Sequence, residues 1–511
     1  MSESPPRPDA ADLTEFNPST ENRGHRFLTG TAYIWAAQLV KMVVQFSSVV
    51  VMSRLLAPDD FGLVAMAAPI LTFAMMFADL GLGQATLQRE RLTQRNSSSL
   101  FWVNVVVGFS ICGLLFLIQP LISGFYGDAR VGHITAALGL TLLLTSVGAQ
   151  HGALLNRRMR FGVLAMLDMA GAILALAGSA AAALAGAGYW SLVIGPLFAG
   201  VCTTACLWIV GGWRPSWPQR DNDLRSMLGF GGGITGFNLA NFFSRNLDNI
   251  LIGWRWGPAQ LGLYDRAYKL LLFPLQQVTN PLSRIMVPTL SRLVSDPAAY
   301  RRVYIDVFYH VILITAPGVI ALVATADIVI PWLMGERWAD VVPIFLALGL
   351  IAVVQCSSNP TGWLFITQAR TREFALWGVF TGVTCAATFW FALPYGAVGV
   401  AIAYSVVEFI KAPIVHWYVT RKGPVSLGDV LSVLAPHVIW ACVAVATLFG
   451  LRRIADAHPA ITVVGSLVLS YGIALAFSLA FPRTRESVLR SYQLISSFVV
   501  TRLAAKPGAA A

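Results

Sequence analysis

Apolar runs of roughly 18 to 25 residues follow one another along this chain, each long enough to cross a bilayer as a helix. Composition agrees with that reading. The 511 residues are 56% hydrophobic and 12% charged, with mean hydropathy +0.66, whereas about a quarter of an ordinary soluble domain is charged. We read an all-α polytopic membrane protein with about 14 transmembrane helices. The expected spans are 28–53, 61–84, 99–121, 131–153, 162–186, 189–210, 228–253, 261–290, 303–325, 338–366, 374–394, 397–419, 429–450 and 460–481.

The net charge of +11 could point to nucleic acid, but its distribution points elsewhere. Basic residues gather in alternate loops: Arg89/Arg91/Arg95, Arg157/Arg158/Arg160, Arg214/Arg220/Arg225, Arg292/Arg301/Arg302, Arg370/Arg372 and Arg421/Lys422. The intervening loops hold chiefly Arg54, Arg130, Arg255, Arg337 and the Arg452/Arg453 pair. By the positive-inside rule both termini and the basic loops face the cytoplasm, and no nucleic-acid partner is expected. The first 25 residues lack the charged-then-apolar pattern of a cleavable signal. The six cysteines have no paired loop or metal-ligand spacing and read as small buried hydrophobes.

The chain is internally duplicated. Gln38, Lys41, Gln45 and Ser48 interrupt the first apolar run at the same relative positions as Asn238, Asn241, Arg245 and Asp248 interrupt the seventh, 200 residues later. The register continues through Ala57-Pro58-Asp59-Asp60-Phe61-Gly62-Leu63 over Gly257-Pro258-Ala259-Gln260-Leu261-Gly262-Leu263. A second block, Ala137-Leu138-Gly139-Leu140 over Ala347-Leu348-Gly349-Leu350, has an offset of 210. Six spans separate equivalent positions, and an even number preserves orientation, so the repeats run parallel with the substrate site expected between them. The expected organisation is a disordered cytoplasmic tail (1–27), a six-helix bundle (28–210), a linker (211–227), a second six-helix bundle (228–419), two additional helices (429–481) and a tail (482–511) with an amphipathic segment near 488–499.

Two sets of residues carry a family likeness. One is Ser53-Arg54-Leu55-Leu56-Ala57-Pro58-Asp59-Asp60-Phe61-Gly62 with Phe77-Ala78-Asp79-Leu80-Gly81-Leu82-Gly83. The other is Arg245-Asn246-Leu247-Asp248-Asn249-Ile250-Leu251-Ile252-Gly253 with Gly262-Leu263-Tyr264 and Arg266-Ala267-Tyr268. The chain resembles Wzx-type polysaccharide flippases, in the exopolysaccharide and colanic-acid exporter branch of the multidrug/oligosaccharidyl-lipid/polysaccharide exporter superfamily. That resemblance extends over the first twelve spans. It implies movement of an undecaprenyl-diphosphate-linked oligosaccharide across the bacterial inner membrane for exopolysaccharide or lipopolysaccharide synthesis. It also implies alternating access through a cationic cavity, contact with membrane lipids and work beside other polysaccharide-assembly proteins.

A charge at mid-membrane costs about 2.5 to 3.5 kcal/mol on insertion scales unless it faces protein or water. Lys41 and Arg245, with Asn241 beside them, are therefore the leading candidates to contact a diphosphate, Arg245 through its planar fork and Lys41 as a point charge. The alternative is that a structural partner, Asp248 for Arg245, neutralises each. Arg266, Lys269, Gln276 and Asn280 share a face within helical tolerance and offer a track for sugar hydroxyls, or else are interfacial charges that snorkel. Asp79 and Asp248 are candidates for proton or sodium coupling, and Arg54 and Arg255 for an outer gate or an interfacial anchor. Glu408 and Lys411 read as a mutually neutralising pair, and His310 and His416 as lone histidines. Glycines at 229, 231–233 and 236 suggest a hinge or close packing.

No catalytic residue, metal site or cofactor is expected: Asp221-Asn222-Asp223 sits in a linker, and no Walker A, GxSxG or zinc pattern occurs. A multidrug extruder of the same superfamily is the first competing reading, weakened because Lys41 and Arg245 repel cationic drugs. The second, a membrane polymerase or glycosyltransferase, would be expected to carry a large outer loop or catalytic domain.

Overall fold

A computed structural model describes residues 23–78, 86, 93–217, 224–452, 458–481 and 484–485, and its elements are helices. Asp79, Arg89, Arg91, Asp221-Asn222-Asp223 and most of both tails, with the amphipathic segment, lie outside the described residues. Among the described residues, eleven segments are long and apolar enough to cross a membrane. One of them, Thr371–Thr420, holds two helices. The long helix Leu224–Arg292 is not among the eleven. It carries nine Asp, Lys and Arg residues and many of the candidate site residues. Length and apolar composition therefore establish a polytopic helical protein without fixing the count at fourteen.

In the first half the helices are α1 (Arg23–Leu55), α2 (Pro58–Ala78), α3 (Gln94–Tyr126), α4 (Ala129–Arg157), α5 (Phe161–Leu184) and α6 (Ser191–Gly211). Their ends follow local chemistry. Thr93 caps α3 by accepting from the Asn96 amide, Gly127 ends it with φ 70, and Asp128 caps α4 by accepting from the Arg130 amide. Short polar side chains satisfy free amides at helix starts, and glycine takes the left-handed turn at an end. Within this half α1 packs on α5, α2 and α3 on α4, and α6 on α4 and α5. The start of the linker is strapped to α3: Trp213 Nε1 donates to Gln94 Oε1 at 2.6 Å, and Trp102 Nε1 to the Ser216 carbonyl at 2.9 Å.

Leu224–Arg292 is α7, two arms (224–256 and 258–292) joined at Gly257, whose φ of 79° and ψ of −174° are open essentially to glycine alone. The glycines at 229–236 sit in continuous helix, so the break in this element falls at Gly257. There follow α8 (Pro297–Ala324), α9 (Ala326–Met334), α10 (Val341–Ser358), α11 (Thr361–Thr367), α12 (Thr371–Ala392), α13 (Gly396–Thr420), α14 (Leu427–Arg452) and α15 (Pro459–Ala480). Here α8 packs on α10, α10 on α13 and α12 on α13, the order in which α3, α4, α6 and α5 pack in the first half. The last two helices dock on α8 around Pro317, where Ser470 Oγ donates to the Pro317 carbonyl at 2.9 Å and Tyr471 Oη to that of Ile314 at 2.7 Å. Proline lacks an amide hydrogen and disturbs the ladder around it.

Backbone geometry recurs at the spacing of the second repeated block. Met159 and Ala369 are the positive-φ residues other than glycine among those described, at 56° and 55°, and they are 210 positions apart, the offset of the second repeated block. Each is followed by an arginine whose amide donates five residues back, Arg160 to Leu155 and Arg370 to Phe365. By Cα proximity the chain divides into compact units at Asp265/Arg266.

Candidate functional site

In the first unit, Lys41 is half-buried and Arg245 is exposed on the first arm of α7. Arg245 lies twelve residues before Gly257, about 18 Å along the helix axis at 1.5 Å per residue; with the break at Gly257 taken as the edge of a core of about 30 Å, that is mid-depth. Lys41, fourteen residues before the end of α1, is at comparable depth by the same rule. Among the described residues no ion pair joins Arg245 to Asp248, so the neutralising partner that the sequence offers one turn away does not serve. Asp248 turns inward instead. It is 6% exposed and accepts a 3.0 Å hydrogen bond from Tyr264 Oη, itself fully buried.

Sequence reasoning does not single out Tyr264 as a site residue. Asp248 lies nine residues before Gly257 and Tyr264 seven after it, so a chain that reverses at the glycine brings them level. That near-equal spacing about a glycine is the signal available. Asp265 is also buried here. Gln38 is half-buried and Gln45 exposed; the helical placement of Asn241 is described without its side chain. Arg54 and Arg255 are exposed near their helix ends, with the Arg255 guanidinium 5.6 Å from the centre of the Trp256 ring.

In the second unit, Lys269, Gln276, Asn280 and Arg284 are exposed on the second arm of α7, and Arg266 is half-buried. Steps of 7, 4 and 4 residues keep the four exposed groups on one helical face. Thr279, to one side of that face, is buried and donates to the Leu275 carbonyl. Glu408 and Lys411 form the expected ion pair, Lys411 being 4% exposed. Sequence spacing found the pair but not its third member, Cys385, whose sulfur lies 3.4 Å from Lys411 Nζ. His310 and His416 bond to the carbonyls of Asp306 and Ala412, four residues back on their own helices.

Long membrane-crossing helices whose packing order repeats in the two halves, with Arg245 exposed and Lys41 half-buried within such helices, define a membrane transporter fold. By sequence profile the chain belongs to the family described as polysaccharide biosynthesis protein, which matches residues 51–343. The teichuronic acid biosynthesis protein TuaB of Bacillus subtilis (strain 168) is 25% identical over 83% of this chain and 89% of its own length. WzxC, a lipopolysaccharide biosynthesis protein of Escherichia coli (strain K12), is 22% identical over 76% of this chain and 80% of its own. ExoT, a succinoglycan biosynthesis transport protein of Rhizobium meliloti (strain 1021), is 24% identical over 78% and 74%. Among solved structures, the lipid II flippase MurJ in its inward closed conformation superposes with TM-score 0.72 at 13% identity, covering 88% of this chain and 98% of that one. An inward-facing multidrug MATE transporter superposes at 0.58 with 11% identity, covering 78% and 99%. At those identities the likeness is one of fold.

Proposed function

We propose that this protein is a flippase that carries an undecaprenyl-diphosphate-linked oligosaccharide repeat unit from the cytoplasmic to the outer leaflet of a bacterial inner membrane, by alternating access and without enzymatic chemistry. The observation that carries the reading is Arg245, exposed at mid-depth in a membrane helix with no ion pair to Asp248. Such a charge is tolerated where it faces water or an anionic ligand. Arg245 and Lys41 take the diphosphate, the arginine through two parallel N–H donors. Lys269, Gln276 and Asn280, with Arg266 at the head of that stretch, present donors and acceptors to sugar hydroxyls. Asp248, held by Tyr264, is the candidate for proton or sodium coupling, with Asp79 as the second. Membrane lipids surround the protein, and other polysaccharide-assembly proteins receive its product. TuaB, WzxC and ExoT, named for cell-surface polysaccharide synthesis and transport, support the substrate class.

Replacing Arg245 or Lys41 by alanine should abolish export while the protein still inserts at normal level, and Arg245→Lys should keep part of the activity if charge outweighs two-pronged geometry. Export is measured as surface polysaccharide in a strain lacking the chromosomal copy. Normal polysaccharide from both alanine variants would refute the cationic site.

A further inference from the structure

The two copies of the repeated loop motif meet in the first unit. Pro58 to Gly62 opens α2, and Pro258 to Gly262 opens the second arm of α7, 200 residues later. A Cβ placed on Gly62 would lie 1.7 Å from the Pro258 carbonyl oxygen, and one on Gly262 would lie 2.0 Å from that of Pro58 and 3.0 Å from the Gly62 nitrogen. The contact is reciprocal, position 62 on 258 and 262 on 58, as an approximate two-fold relation between the copies requires. The opposing oxygens belong to backbone in a first helical turn, so no side-chain rotation makes room. Neither glycine has a positive φ. Close approach, not conformational freedom, is what demands glycine here.

The surroundings extend the same contact. Gly253 lies against Met66 and Tyr126, with its Cβ position 2.9 Å from Met66 Cγ and 3.3 Å from Tyr126 Cε1. Phe125 stacks on Trp254 with ring centres 6.4 Å apart. The first copy is anchored: Asp60 Oδ2 accepts from the Ala57 amide at 3.0 Å, and Asp59 pairs at 3.3 Å with Arg130, which also pairs at 2.8 Å with Asp128. The second copy has Ala259 and Gln260 at those two positions. One jaw is therefore tied to the start of α4, and the other lacks both carboxylates.

We propose that Gly62 and Gly262 are the closing surface of the transport pathway at the helix ends opposite the basic loops, and that a Cβ on either holds that end open. This gate rests on the flippase reading only for what passes through it. Its movement is measured without substrate. In a background free of the six native cysteines, Ala57→Cys and Ala259→Cys receive spin labels, and pulsed electron resonance gives the distance between them in liposomes. The parent protein should show a short-distance population. Gly62→Ala and Gly262→Ala should each convert it to a longer one and lower export by about tenfold or more, as a strong population shift requires.

Correctly inserted alanine variants with an unchanged distance distribution would overturn the gate. If the variants do not insert, a short bifunctional reagent that joins the thiols introduced at positions 57 and 259, with both glycines intact, decides the matter. Tethered protein should stop exporting, and tethered protein exporting at the normal rate overturns the proposal. A distance shift in a protein whose loss leaves surface polysaccharide intact supports the gate and refutes the flippase reading instead.

Discussion

Arg130 shows what a single side chain does at the turns opposite the basic loops. The charge pattern marks it as one of few basic residues in the sparsely charged loops, and the fold reveals its work: it binds Asp128 at the start of its own helix and reaches Asp59 on α2. The Arg130 guanidinium, by hydrogen bonding to Asp128, holds that carboxyl below its ordinary value of 3.8. A carboxyl with a depressed folded-state pKa contributes stability above its unfolded value, lost as pH falls through the folded one. Asp128→Ala, which also removes the cap on α4, should cost about 1 kcal/mol at neutral pH. Thermal unfolding in detergent should show the difference from the parent protein narrowing below about pH 4; a constant gap down to pH 2 would place the contribution in neutral capping alone. Glu408 and Lys411 were legible because three residues make one helical turn. Cys385 was not, because its distance from them is set by how α12 lies on α13, which no spacing along the chain encodes.

Among the elements, α7 is the longest, and Gly257 is where it breaks. Its backbone angles cost about 1 to 3 kcal/mol for a residue with a Cβ. Gly257→Ala should therefore lower stability by about that amount, read as a fall in thermal midpoint in detergent. Ala57→Gly, at the equivalent position of the first copy where φ is not positive, should change it by less than about 1 kcal/mol. Equal effects of the two changes would show that the break tolerates a side chain. The glycines at 229–236 suggested a hinge from composition alone, and they are helical, because glycine permits a bend without imposing one. A similar contact holds the basic-loop ends of the helices in each half. Arg158 Nη1 donates to the Gly211 carbonyl at 3.4 Å, and Arg370 Nη1 to those of Val419 at 2.6 Å and Lys422 at 3.0 Å. In each half an arginine after the fourth span grips the carbonyl end of the sixth, where a cation also complements the helix dipole.

For the whole molecule, alternation of basic loops predicts orientation, and labelling tests it. With the native cysteines replaced, a thiol reagent that cannot cross membranes should label Arg337→Cys in intact cells and Lys422→Cys only after the cells are opened. Labelling of position 422 from outside would invert the topology and with it the side assigned to the glycine contact. Sequence by itself determined the membrane class, the duplication with its 200- and 210-residue offsets, and the position of Lys41 and Arg245 within apolar runs. Those follow from hydrophobic length, helical periodicity and the cost of charge in hydrocarbon, all of which act along the chain. Only tertiary structure decided that Asp248 turns to Tyr264 and leaves Arg245 without an ion pair to it, and that the two loop motifs meet glycine against backbone. Such outcomes depend on how helices cross, and crossing is governed by packing between residues far apart in sequence, where a missing Cβ at 62 or 262 matters more than any local pattern.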